Sequence, residues 1–227
     1  RTMMMFRLVL PALILALGAE AQAALPVLAH CGGCGPSAPT AKVNHKHSKK
    51  ASVGHAAPSF KLKDLNGKTH SLNQYKGKTI VLEWFNPECP FVVSSHRKGG
   101  VLEKMAMKTS KSDTVWLAIN SGAKGRQGHG KSLNKSAAKK WKMNHPILVD
   151  ESGEVGKAYG AKTTPHMFVI DSNGNLAYKG APDNSPNGRR GKSYTPYLSN
   201  ALADLAAGKR VRKSDTSAWG CSVKYGR

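Results

Sequence analysis

Cysteine is the residue type in this sequence that points most directly to chemistry. The chain has four cysteines: Cys31 and Cys34 are separated by two glycines, Cys89 stands alone, and Cys221 lies near the C-terminal end. A domain of this length does not need disulfides to form a stable core. The uneven spacing therefore favours redox or metal chemistry over a disulfide framework.

Cys89 follows a long apolar run and directly precedes Pro90. The run Thr79–Phe85 predicts a strand buried on both faces, and proline is suited to the first position of a helix. A cysteine at such a junction meets unpaired backbone N–H groups, which stabilise the thiolate, the reactive form of the thiol. We therefore predict that Cys89 is a nucleophile, with a buried structural cysteine as the alternative.

The N-terminal part of the chain has the composition of a targeting segment and a linker. Residues 1–23 combine Arg7, an apolar run and the small residues Ala21 and Ala23, which predicts a secretory signal and an exported protein, periplasmic or extracellular. An uncleaved anchor is the alternative, although the run is shorter than the ~20 residues of a membrane span. Residues 24–56, rich in Cys, His and Lys, predict a flexible linker.

The linker contains a second group of candidate ligands. Cys31 and Cys34 precede His45, His47 and His55, and sulfur and imidazole are ligands for soft metals. Three interpretations stay open for the two cysteines: a metal site, a disulfide between Cys31 and Cys34, and no role. The sequence predicts no organic cofactor.

The charge of the chain is strongly basic, with a formal net charge of +22 at pH 7. The basic residues are spread along the sequence, and no nucleic-acid-binding motif accompanies them. For an exported protein this charge predicts adhesion to anionic polymers of the cell envelope. Nucleic acid is therefore not a predicted partner.

Residues 57–210 carry the periodicity of one α/β domain. Two strand–helix–strand units precede a hairpin and a helix, which predicts parallel strands joined by crossovers. Asn66-Gly67 between alternating residues predicts an additional N-terminal hairpin. An aperiodic tail, 211–227, contains Cys221. The predicted strands span residues 58–65, 68–72, 79–85, 114–119, 146–150, 166–171 and 176–180, and the helices 90–107, 132–143, 154–159 and 194–207.

Two stretches together carry a family resemblance. The sequence from Val81 to Phe91, with Cys89-Pro90, and the sequence from Gly160 to Asp171, with Thr164-Pro165, resemble the thioredoxin-like superfamily. The resemblance is closest to exported redoxins and peroxiredoxin-like antioxidants of the alkyl-hydroperoxide-reductase and thiol-specific-antioxidant group. It implies a thioredoxin-like fold, with a central mixed sheet flanked by helices. The ending Gly220–Tyr225 resembles a C-terminal cysteine element of one peroxiredoxin-like subgroup.

The resemblance also implies roles for individual residues. Cys89 corresponds to the nucleophile, and Pro165 to a cis-proline that, with Thr164, presents backbone to the substrate. Asn86 stands where a peroxiredoxin has the residue that binds peroxide. Val92 occupies the position of a thioredoxin's second cysteine, so turnover requires another thiol.

The second role has three candidates: Cys221, the Cys31–Cys34 pair and an external thiol. We favour Cys221, which would attack a sulfenic acid formed on Cys89. A static Cys89–Cys221 disulfide that holds the tail is the alternative.

The sequence therefore predicts an exported thiol-dependent oxidoreductase. Its partners would be a peroxide, or a disulfide of a protein or small molecule, together with an external thiol reductant. The alternatives are a non-catalytic thioredoxin-fold scaffold and a metal-binding protein that acts through Cys31 and Cys34.

Four further positions have weaker predictions. His96 is expected on an exposed helix surface, whereas His166 is equally compatible with facing the site or not. The resemblance implies that Asp183 and Asn184 lie at the rim of the site.

Overall fold

Three apolar runs of the sequence form the centre of a mixed sheet. The structure, a computed structural model, describes residues 50–110, 112–188 and 191–227. The strands are β1 Lys61–Asp64, β2 Thr69–Ser71, β3 Thr79–Trp84, β4 Thr114–Asn120, β5 Ile147–Val149, β6 Thr163–Thr164, β7 His166–Ile170, β8 Leu176–Gly180 and β9 Cys221–Ser222. The helices are α1 Pro90–His96, α2 Val101–Thr109, α3 Lys131–Lys140, α4 Glu154–Tyr159 and α5 Tyr197–Ala206, with a 3₁₀ turn at Leu72–Tyr75.

Seven of these strands form one sheet in the order β2-β1-β5-β4-β3-β7-β8. Strands β3, β4 and β5 are parallel neighbours, whereas β7 pairs antiparallel with β3 and β8. The β1–β2 hairpin joins the sheet through β5. This arrangement confirms the predicted α/β class, with its mixed sheet and N-terminal hairpin, and it is a thioredoxin-like fold.

Side chains of the central strand β3 are buried on both faces of the sheet. Ile80, Leu82 and Trp84 belong to one apolar cluster, and Val81 belongs to another, beneath α2 and α5. Alternate residues of a strand point to opposite faces, so an unbroken apolar run is what a two-sided core requires. The burial explains why this run reads so clearly in the sequence.

The predicted helix 90–107 is divided into α1 and α2, and the division falls at Gly99-Gly100. A Cβ at Gly100 would collide with the carbonyl group of Ser95. The chain can therefore turn here only with glycine, and α1 ends after two turns.

Both ends of the predicted domain extend further than the sequence indicated. Within the predicted linker, the Ala51 N–H donates to the Ala158 carbonyl at 2.9 Å and the Gly54 N–H donates to the Leu176 carbonyl at 2.8 Å. At the other end, the predicted aperiodic tail contributes β9, which pairs with β6. The described end of the linker is thus packed on the domain. The predicted signal, residues 1–23, and linker residues 24–49 lie outside the described residues.

No helix among the described residues is long and apolar enough to cross a membrane.

Candidate functional site

Cys89 lies where the central strand gives way to the first helix. It directly precedes α1, and its side chain has 0% exposure. The Cys89 thiol donates to the Thr164 carbonyl oxygen at 3.0 Å. The next peptide bond, Thr164–Pro165, is cis. Because β3 and β7 pair with Trp84 opposite His166, the Cys89 loop and the Thr164-Pro165 segment meet at one end of the sheet.

The C-terminal strand brings the second thiol to the same place. Strands β6 and β9 pair antiparallel, with Thr164 opposite Cys221. The Val223 N–H extends this ladder by donating to the Lys162 carbonyl at 3.0 Å. The Cys221 thiol is hydrogen-bonded to the Cys89 sulfur, and neither residue is in a disulfide. The structure therefore brings together the two cysteines that the sequence proposed as partners.

The pKa values of the two thiols are shifted in opposite directions. Burial raises the pKa of Cys89, but hydrogen bonds from the Thr164 side chain, the Cys221 thiol and the backbone of Val92 outweigh it and hold this pKa below its ordinary value. Burial and the neighbouring Cys89 raise the pKa of Cys221 to about 11. Cys89 is thus the more acidic thiol of the pair, and Cys221 is the less acidic one. A thiol that ionises readily beside one that keeps its proton is an arrangement suited to nucleophilic attack followed by disulfide formation.

Two aromatic residues of the tail attach it to the rest of the domain. The Trp219 ring lies 5.9 Å from the Phe91 ring, centroid to centroid, and its Nε1–H donates to the Asp183 carbonyl at 2.7 Å. The Tyr225 hydroxyl donates to the Ala161 carbonyl at 2.8 Å. No periodic pattern in the sequence predicted these contacts. Tryptophan and tyrosine in an otherwise polar tail were the available signal, because such side chains are seldom left in solvent.

Asn86 has its hydrogen-bonding groups engaged within the loop before Cys89. Its Oδ1 accepts from the Glu88 N–H at 2.9 Å, and its Nδ2 donates to the Gln127 carbonyl at 3.3 Å. Gly128 packs against this amide so closely that a Cβ there would collide with it. Asn86 thus shapes the loop, and its role in substrate binding stays a prediction.

His96 is buried, so its prediction as a surface residue is wrong. Its Nε2 lies 2.6 Å from Oε1 of Glu83, and the two side chains are 1% and 0% exposed. The Trp116 Nε1–H donates to the other carboxylate oxygen at 3.0 Å. Burial raises the pKa of Glu83, but the opposing effects of His96, His145 and Trp116 are larger. The pKa of Glu83 is therefore below its ordinary value. A glutamate within an apolar strand was the signal for this cluster.

The remaining predicted positions lie around the site rather than in it. His166 is buried, and its Nδ1 accepts from the Lys162 N–H at 3.2 Å. Its electrostatic neighbours are Lys179, Asp215 and Lys162 rather than the thiols. Asp183 is buried, and its carbonyl oxygen accepts a hydrogen bond from the Trp219 indole. The Asn184 side-chain amide donates to the Ser193 carbonyl and accepts from the Thr195 N–H.

No cluster of His, Cys, Asp and Glu side chains suited to a metal ion occurs within residues 50–110, 112–188 and 191–227. Cys31 and Cys34, the predicted candidates, lie outside these ranges.

Comparisons with known proteins agree with the fold. The family model described as Redoxin matches residues 52–195. Since the match spans more than half of the chain, the protein belongs to the Redoxin family.

Two curated relatives illustrate the range of that similarity. The thiol-disulfide oxidoreductase ResA of Geobacillus thermodenitrificans is 30% identical over 124 residues, which cover 55% of this chain and 66% of that protein. The chloroplastic peroxiredoxin Q of Populus jackii is 31% identical over 134 residues, which cover 55% of this chain and 58% of that protein. The chain thus spans less than two thirds of the length of either relative.

Two solved structures resemble the chain over a larger share of its length. A hypothetical protein of Sinorhizobium meliloti 1021 has a TM-score of 0.68 and 27% identity, covering 79% of this chain and 97% of that one. An uncharacterized conserved protein of Geobacillus kaustophilus has a TM-score of 0.70 and 26% identity, covering 77% and 93%.

Proposed function

We propose that the protein is an exported thiol-dependent oxidoreductase in which Cys89 is the nucleophile and Cys221 the resolving thiol. The observation that carries the proposal is the buried thiol of lowered pKa with a second, protonated thiol held against it by the β6–β9 pairing. The similarity to ResA and to peroxiredoxin Q supports redox chemistry on a disulfide or a peroxide. Export rests on the composition of residues 1–23 alone.

With a hydroperoxide, the reaction has two steps. The Cys89 thiolate attacks the terminal peroxide oxygen, so that an S–O bond forms, the O–O bond breaks and the remaining oxygen leaves as water or an alcohol after protonation. The Cys221 thiol then attacks the sulfenic sulfur, an S–S bond forms and water leaves. The two cysteines lose two electrons and the peroxide gains two. An external dithiol returns both to thiols and becomes a disulfide itself.

The first experiment asks whether this disulfide forms. The full chain with Cys31→Ser and Cys34→Ser is reduced, treated with one equivalent of hydrogen peroxide and mapped by non-reducing mass spectrometry. We expect one cross-linked peptide that contains Cys89 and Cys221. In Cys221→Ser, the sulfenic acid should persist on Cys89 and react with dimedone, whereas Cys89→Ser should give neither product. If Cys89 stays a thiol in the parent protein and in Cys221→Ser, with hydrogen peroxide and equally with cystine, the enzyme interpretation is wrong and a non-catalytic thioredoxin-fold protein replaces it.

The second experiment tests the acidity of Cys89. Because its pKa is lowered, the rate of alkylation by iodoacetamide should reach half its maximum below pH ~8.5, the value of an ordinary cysteine. Thr164→Val removes one hydrogen bond to the thiolate, so its half-maximum should move to higher pH. Thr163→Val serves as the matched control, since the Thr163 hydroxyl bonds to the Pro165 carbonyl. A wild-type midpoint at or above pH ~8.5 would contradict the proposed nucleophile.

A further inference from the structure

The C-terminal residues 219–225, which we call the cover segment, include Cys221, which lies against Cys89, and they pair with the strand edge beside it. Cys221 and Ser222 pair with β6, and the Val223 N–H donates to the Lys162 carbonyl. The Lys224 carbonyl accepts from the Ala123 N–H at 2.9 Å. Cys89 itself has no exposed surface. The cover segment therefore occupies the strand edge beside Cys89, the place where an extended polypeptide would bind.

A polypeptide and a small molecule place different demands on this site. An extended polypeptide binds beside a strand by adding its own backbone to an unpaired edge. The edge of β6 is already paired with Cys221 and Ser222. The same strand contains the Thr164 carbonyl, which accepts the hydrogen bond from the Cys89 thiol. A polypeptide would have to displace the whole cover segment. A molecule of a few atoms needs only a brief local opening, which costs less free energy.

We propose that the cover segment makes Cys89 selective for small oxidants, of the size of a hydroperoxide or a low-molecular-weight disulfide, and against disulfides carried on polypeptides. This inference rests on the proposed function of Cys89 as a nucleophile and names the substrate class of that site. The segment acts by occupying the place that a polypeptide substrate would take.

Gly220 offers a way to detach the cover segment while both cysteines remain. Its φ of +132° disfavours any side chain, and a Cβ there would collide with the Thr164 carbonyl oxygen. Gly220→Ala should therefore separate β9 from β6. Gly226→Ala is a matched control, because its Cβ would lie 3.4 Å from that of Ala123, an ordinary contact.

The experiment compares one leaving group on two carriers of different size. Cysteine joined through a disulfide to thionitrobenzoate is the small reagent, and an unstructured peptide with the same mixed disulfide on its single cysteine is the large one. In each case the Cys89 thiolate attacks the cysteine sulfur, the S–S bond breaks and the coloured thionitrobenzoate leaves with the electron pair. Hydrogen peroxide is the third reagent. The full chain with Cys31→Ser and Cys34→Ser is used throughout, and peptide mapping identifies Cys89 as the residue modified.

We expect Gly220→Ala to raise the rate with the peptide reagent about tenfold or more, and the rates with cysteine–thionitrobenzoate and peroxide less than about threefold. Gly226→Ala should behave as the wild type. Equal rises with all three reagents, or no rise with the peptide, would overturn the inference. Should Gly220→Ala fail to fold, Trp219→Ala loosens the same segment without a backbone collision and must show the same selective rise.

The two proposals fail in different ways. If wild-type Cys89 reacts with the peptide as fast as with cysteine–thionitrobenzoate, the cover segment is not selective, while Cys89 remains a nucleophile. If wild-type Cys89 reacts with neither small reagent but Gly220→Ala reacts with the peptide, the cover blocks the site and the peroxide step of the proposed function is wrong.

Discussion

The central strands and the C-terminal tail are held in place by different interactions. Strands β3 and β7 are buried almost completely, and their side chains form continuous apolar clusters. The tail consists largely of half-buried and exposed residues, fixed by separate hydrogen bonds such as those of Trp219 and Tyr225. Burial of a shared core is cooperative, whereas individual contacts at a surface can open locally. We therefore expect the candidate site to combine a fixed thiol, Cys89 before α1, with a detachable thiol, Cys221 on the tail.

The largest expected effect comes from breaking the buried Glu83–His96 pair on the sheet. His96→Ala leaves the Glu83 carboxylate, which is 0% exposed, without the imidazole that lies 2.6 Å from it. Removing one partner of a buried pair costs about 3–5 kcal/mol, so the midpoint of urea unfolding should fall sharply. His55→Ala, at an exposed histidine, is the control and should leave the midpoint unchanged. Equal midpoints for the two variants would show that Glu83 and His96 do not stabilise the sheet.

A second effect concerns the pH dependence of the same region. Burial lowers the pKa of His145 to about 4, so between pH 4 and about 6.5 the unfolded chain binds a proton that the folded protein does not. The free energy of unfolding must therefore decrease as the pH falls through this window. His145→Phe removes the titrating group and should make the decrease shallower by up to about 1.4 kcal/mol per pH unit. Unfolding curves at pH 7 and pH 4.5 measure it, and parallel behaviour of both proteins would contradict it.

The same contrast explains how far the sequence could predict the structure. Apolar runs at Thr79–Phe85 and Thr114–Ile119 predicted β3 and β4 within one or two residues, because burial on both faces leaves a continuous hydrophobic signal. The strand–Cys–Pro–helix order likewise predicted where Cys89 lies. Such local patterns carry enough information to define the sheet and one half of the site.

The other half of the site depends on contacts that have no local pattern. Trp219 bonds to a residue 36 positions away and Tyr225 to one 64 positions away, and neither belongs to a periodic run. The burial of His96 was missed for the same reason, since its partner Glu83 comes from another element. Helical periodicity can place His96 on a polar face of its helix. It does not show that the Glu83 carboxylate, in the core strand β3, pairs with His96 on that face.

A smaller effect is expected at the tail, where it should stay local. Trp219→Phe keeps a ring against Phe91 but loses the hydrogen bond to the Asp183 carbonyl, at a cost of about 1 kcal/mol. Hydrogen exchange at the Val223 amide should accelerate about fivefold. The midpoint of urea unfolding should stay unchanged, because the sheet does not depend on this contact. A fall in that midpoint as large as the local change would mean that the tail and the sheet unfold together.

The smallest effect tests the far end of the cover segment. Tyr225→Phe removes the hydroxyl that donates to the Ala161 carbonyl at 2.8 Å but keeps the ring close to Gly153 and Gly156. The loss should be about 0.5–1 kcal/mol, and it should appear as faster exchange at the Ala123 amide, which is bonded to Lys224. Amides of β7 serve as the internal control and should exchange at the wild-type rate. If they accelerate as well, the tail is part of the cooperative core, and the distinction between a fixed and a detachable thiol fails.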